Sequence, residues 1–126
     1  MPKVPTRSAC VIVGATPAQV RAIAAGEHVT IRENRLGTLV TGTIDGSVID
    51  YAAELPGPVY DVMYNAETSW FAVTIYRGED QPRRWDNRQG DEAGYPRVPD
   101  VLGATSPSAI LEALDIPADA VGYAPS

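Results

Sequence analysis

The spacing of apolar and polar residues changes character several times along the chain. Ala9 to Val13 is a short apolar run rich in β-branched side chains, closed by Gly14-Ala15-Thr16-Pro17, the pattern of a buried strand ending in a turn. The spacing then turns helical, with Val20, Ile23 and Ala24 on one face and Arg21 on the other. Thr16 suits the N-cap and Pro17 the first helical position, while Gln19 completes a Thr-x-x-Gln capping box; Gly26 marks the end. From His28 the period falls to two, with Val29 and Ile31 opposed to Thr30 and Arg32, and Asn34 to Gly37 reads as a turn. Thr38 to Ile44 and Ser47 to Ala53 read as a hairpin about Asp45-Gly46, a dipeptide that tolerates the positive φ angles of a type I′ turn. That hairpin would set Val40, Ile44, Ile49 and Tyr51 on one face and Thr41, Thr43 and Asp50 on the other.

Past Leu55-Pro56-Gly57-Pro58, the segments Val59 to Tyr64 and Ser69 to Arg77 predict a second hairpin. Pairing about Ala66-Glu67 opposes Val62 to Phe71 and Tyr60 to Val73, and leaves Asp61, Met63, Trp70, Thr74 and Tyr76 on the reverse face. Residues 78–100 show neither period and are expected to form a long irregular loop, the kind of segment that carries function in compact domains. Ser106 and Pro107 then start a short helix whose stripe is Ile110, Leu111 and Leu114, stopped at Ile116-Pro117, and from about residue 118 a docked turn followed by a loose tail is expected. The fold class expected is α+β: one domain over residues 1–126, an antiparallel meander of about five strands with an N-terminal and a C-terminal helix. A curled, SH3-like or partly open barrel is the nearest variant.

Composition narrows the functional classes more than it selects one. With 44% apolar and 21% charged residues the chain has an ordinary globular make-up, and 126 residues suffice for one core. A net charge of −6 opposes a broad phosphate-backbone contact, and the arginines of residues 77–97 are interleaved with acidic residues, so nucleic acid is not expected as a partner. One cysteine, Cys10, and one histidine, His28, cannot build a zinc site from Cys and His alone, and no cofactor fingerprint is present. The apolar stretch after Lys3 and Arg7 is too short for a signal sequence, and no run reaches membrane-spanning length; a cytoplasmic protein without membrane contact is expected.

Two groups of residues carry candidate chemistry. Arg83, Arg84, Trp85 and Arg88 combine guanidinium forks with a flat aromatic, the residue types most enriched at interface hot spots. Asp50, Asp61, Trp70 and Tyr76, with Thr41, Thr43 and Thr74, would form a polar and aromatic sheet face. Cys10 is expected to be a buried small hydrophobe and His28 an exposed strand residue; no nucleophile elbow accompanies either. The reading that follows is a small acidic interaction protein, of inhibitor, immunity or adaptor type, meeting a protein partner through the Arg/Trp loop. Its alternatives are a binding protein for an anionic or aromatic small molecule and a small enzyme using Asp50, Asp61 or His28 as acid or base.

Overall fold

A computed structural model describes residues 7–24, 29–42, 47–78, 80–87 and 96–123. Six strands form one open antiparallel sheet: β1 (Arg7–Val13), β2 (Val29–Asn34), β3 (Gly37–Gly42), β4 (Val59–Asn65), β5 (Trp70–Tyr76) and β6 (Arg83–Asp86). Their order across the sheet is β2-β3-β1-β4-β5-β6. Three α-helices are described with it: α1 (Pro17–Ile23), α2 (Ser47–Glu54) and α3 (Pro107–Ala113), followed by a 3-10 turn at Ala118–Ala120. The fold is therefore α+β as expected, but with six strands rather than five, and the sheet does not close into a barrel. No helix among the described residues is long and apolar enough to cross a membrane.

β1 lies between β3 and β4, and Ala9, Cys10, Val11 and Ile12 are all fully buried, so both faces of the sheet must be covered. On the first face Ala9, Val11, Tyr60, Val62, Phe71 and Val73 pack with Ile110, Leu111 and Leu114 of α3. On the second face Cys10, Ile12, Val40 and Val59 pack with Val20 of α1 and with Tyr51 and Ala52 of α2. The start of α1 follows its sequence pattern: the Thr16 hydroxyl accepts from the Gln19 N–H at 3.2 Å, and the Thr16 N–H donates to Gln19 Oε1 at 2.9 Å.

The expected first hairpin is overturned, because Ser47–Glu54 is helical. β3 already has β2 on one side and β1 on the other, leaving no ladder edge for a further strand. Val48, Tyr51, Ala52 and Leu55 are also spaced i, i+3, i+4, i+7, a helical stripe that the alternating reading overlooked. Tyr51 and Ala52 are buried, Ala53 and Glu54 are exposed, and the Leu55 N–H donates to the Tyr51 carbonyl at 2.9 Å. Asp45 and Gly46, the proposed turn, lie outside the described residues, as do Thr43 and His28.

The second hairpin forms with its faces as expected but a different register. Val62 opposes Val73 and Tyr64 opposes Phe71, two residues away from the pairing about Ala66-Glu67. Asn65 sets this register: its side-chain oxygen accepts from the N–H groups of Glu67 and Thr68 at 3.0 and 3.1 Å, and Ser69 adopts a left-handed φ of 59°. A slip of two preserves side-chain parity, which is why the faces survive it.

Long-range ties hold the C-terminal segment in place. The Asn34 side-chain amide donates to the carbonyls of Leu114 and Asp115, both at 3.0 Å, and Arg35 Nη2 donates to those of Glu112 and Ala113 at 3.1 and 3.0 Å. The carbonyls of Ala113, Leu114 and Asp115 are thereby satisfied from Asn34 and Arg35, while that of Glu112 also accepts from the Asp115 N–H at 3.1 Å. Residues 118–123 are docked, with Val121 buried and the Tyr123 ring meeting Tyr64 edge-on at 5.1 Å.

Gly57 passes so close to β1 that a Cβ there would overlap the Val13 carbonyl oxygen. Because that contact is backbone in a central strand, Gly57→Ala is expected to destabilise the fold by about 3 kcal/mol, read as a lower urea midpoint with an unchanged m-value.

Candidate functional site

The segment expected to be irregular contains an edge strand. Trp85 opposes Val73 across the β5–β6 ladder, is 8% exposed, and meets Phe71 edge-on at 6.2 Å between ring centroids. Asn87 extends the pairing with its side chain: Phe71 N–H donates to Asn87 Oδ1 at 3.1 Å, and Asn87 Nδ2 donates to the Ser69 carbonyl at 2.7 Å. On the outer side of β6, Arg84 N–H donates to the Pro96 carbonyl at 2.9 Å and Val98 N–H to the Arg84 carbonyl at 3.1 Å, a single parallel bridge. The loop expected over residues 78–100 is thus divided by a strand and closed by residues 96–98 lying along it.

Strand alternation separates the Arg/Trp cluster. Trp85 and Arg83 belong to the first face, with Trp85 in the core, whereas Arg84 lies on the second face opposite Thr74. Arg84 Nε donates to Thr74 Oγ1 at 3.1 Å, and its guanidinium carbon stands 5.7 Å from the centre of the Trp70 ring. Arg97 approaches the buried Asp86 carboxylate at 3.4 Å. Arg77 and Arg83 differ from both: they are exposed, and no side-chain hydrogen bond or ion pair engages either among the described residues. Arg88 lies outside the described residues.

Two concavities flank residues 96–99. One, of about 610 Å³, is lined by Ile75, Arg77, Asp80, Gln81, Arg83, Pro96 and Val98. The other, of about 820 Å³, is lined by Trp85, Asp86, Asn87, Arg97, Val98, Pro99 and the Thr105–Pro107 approach to α3. Val98 is common to both, so they are neighbouring depressions of one surface along the β6 edge. Sequence reasoning missed Arg77, Pro96 and Val98 as members of this surface. The alternation Arg83, Trp85 against Arg84, Asp86 was a local strand signal, but nothing local in residues 96–98 points to Arg84.

The sheet-face candidates are partly brought together. One cross-strand row on the second face runs Ile31, Val40, Cys10, Asp61, Thr74, Arg84, apolar at one end and polar at the other. Trp70 and Tyr76 share that face at opposite ends of β5, both partly buried. Thr41 opposes Ala9 and so lies on the other face, a correction to the expected grouping. Asp50 falls in α2 instead of a strand, and its side chain lies outside the described residues.

Asp61 is the electrostatic anomaly of this row. Burial pushes its carboxyl up from 3.8 to about 7, with the Arg84 guanidinium pulling the other way, and Oδ1 is buried without a hydrogen-bond partner among the described residues. The Cys10 thiol beside it is raised by its own burial and then by the Asp61 charge, so it stays protonated and unreactive. This arrangement can hold or release a proton near neutral pH, but the nucleophile at hand is a fully buried neutral thiol. Among the described residues no group of three His, Cys, Asp or Glu side chains is placed to hold a metal ion.

The chain matches no known family model, and no curated protein or solved structure is detectably similar to it.

Two outcomes follow from this geometry. Trp85→Ala should cost about 3–5 kcal/mol through loss of core packing, while Arg83→Ala should change stability by less than about 0.5 kcal/mol in the same denaturant titration. Between about pH 4 and about pH 7 folded Asp61 keeps a proton that the unfolded chain has released, so stability should fall as pH rises through that window. The penalty above it is on the order of 4 kcal/mol, and Asp61→Asn should flatten the pH profile and melt higher than wild type at pH 8.

Proposed function

We propose that this chain is a non-catalytic binding protein, of inhibitor, immunity or adaptor type, whose macromolecular partner seats against the β6 edge. The observation that carries the reading is the division of the arginines: Arg84 and Arg97 are engaged by Thr74, Trp70 and Asp86, while Arg77 and Arg83 stand exposed on the rim of a concave surface. Exposed guanidiniums around an apolar floor are the usual anchors of a protein contact. Preformation supports the same reading, because the floor is sheet on one side and a backbone-bonded segment on the other, and little ordering entropy remains to oppose binding.

A small anionic or aromatic ligand on the second face draws support from Asp61, a partly buried residue whose carboxyl feels the Arg84 guanidinium, and from Trp70, over which Arg84 lies. That face offers less uncommitted recognition chemistry, since its guanidinium already bonds Thr74 and covers Trp70.

Immobilised wild type, Arg77→Glu/Arg83→Glu and Arg32→Glu can be compared in affinity capture from cells of the source. Arg32 is exposed on β2 at the far edge of the sheet, so its reversal reports the effect of an arginine reversal made away from the β6 edge. Wild type and Arg32→Glu should retain a partner that the double reversal loses. Identical retention by all three would rule out the β6 edge as the contact.

A further inference from the structure

The groove beside β6 carries a charge pattern that selects among partners. Resting on the reading above, we infer that the Arg77–Arg83 groove receives an extended segment of the partner with acidic side chains at alternate positions. Arg83 opposes Ile75 in the last pair of the ladder, and Arg77 follows Ile75 by two residues just past the end of β5, so both arginines border the same groove. Side chains on one face of an extended peptide repeat every two residues, at about 6.6–6.8 Å. A Glu-x-Glu segment lying along the groove therefore carries two carboxylates on one face, one for each guanidinium.

The floor between the cations is apolar. Ile75 and Val98 both pack against the core cluster of the first face, and Pro96 and Val98 are fixed by their backbone bonds to Arg84. A residue between the acidic positions, or a short apolar one beside them, would find that floor. Among the described residues of the lining, Arg77 and Arg83 face the single carboxylate of Asp80. At physiological ionic strength charges are screened beyond about 8 Å, so a segment inside the groove feels Arg77 and Arg83 more than the acidic body. Bidentate carboxylate bonds to each guanidinium then supply orientation as well as attraction.

Fluorescence anisotropy with labelled five-residue peptides tests this directly, using Glu-Val-Glu-Val-Glu, the scrambled Glu-Glu-Glu-Val-Val and Lys-Val-Lys-Val-Lys. The alternating acidic peptide should bind best, more weakly as salt rises, and should shift the Ile75 and Val98 amide resonances in a ¹⁵N spectrum. Arg77→Ala/Arg83→Ala should weaken it about tenfold or more, and the paired lysine replacement should restore part of the loss. Failure of the acidic peptide to bind, indifference to the double alanine change, or equal binding of the scrambled peptide would each overturn the inference. Equal displacement of the same resonances by inorganic phosphate or N-acetylglutamate would replace it with a small-anion site. Should affinity capture still lose its partner on double charge reversal while the peptides fail, the partner reading stands and the acidic-segment inference falls. Should all capture variants behave alike, it is the partner reading that falls.

Discussion

Burial of β1 on both of its faces is the constraint from which most of the structure follows. A strand with Ala9, Cys10, Val11 and Ile12 all withdrawn from water cannot sit in a sheet with one wet face. Each face must then find its own cover, and the chain supplies α1 and α2 to one and α3 with the 3-10 turn to the other. The same central position gives β1 both β3 and β4 as neighbours, and with β2 on its remaining side β3 has no free ladder edge. Ser47–Glu54 is consequently outside the sheet, where its helical stripe can close over Ile12, Val40 and Val59.

The edges of the sheet are managed differently from its centre. At β6 the exposed backbone is partly paired by residues 96–98, and prolines at 96 and 99 remove donors from the segment that covers it, which discourages indiscriminate strand addition. What remains for recognition is side-chain chemistry on the faces. Alternation sorts that chemistry: Trp85 goes inward to Phe71, Arg84 crosses to Thr74 and Trp70, and Arg83 stays out with Arg77. A run of residues that looks like one binding motif in the linear chain thus becomes one core anchor, one internal clamp and one exposed cation.

Asp61 shows the cost of placing a polar row across a buried sheet. Its neighbours across the ladder are a buried cysteine and a buried threonine, and the Arg84 charge only partly offsets the desolvation of its carboxyl. The group contributes less to stability when ionised than when neutral, so the pH response expected of Asp61 arises on the face opposite the proposed contact.

Features that depend on neighbours a few residues apart were readable from the chain: the β1 apolar run, the Thr16–Gln19 capping box, the Ser106-Pro107 helix start and the two faces of the β4–β5 hairpin. These rest on local hydrogen bonding and on side-chain parity, which tertiary context rarely overturns. The α2 helix and the strand at Arg83–Asp86 each carry a local periodic signal, but which reading prevails there turns on which backbone edge is free, and the register of the β4–β5 hairpin turns on Asn65 closing its loop. Of the candidate site, the residue types were visible and their grouping was not. Arg83 joined Arg77, Arg84 joined Thr74 and Trp70, and Val98 closed the groove through bonds made across the sheet edge. Hydrophobic periodicity specifies which side of an element faces inward; the choice of neighbour is made only when the whole sheet assembles around its most buried strand.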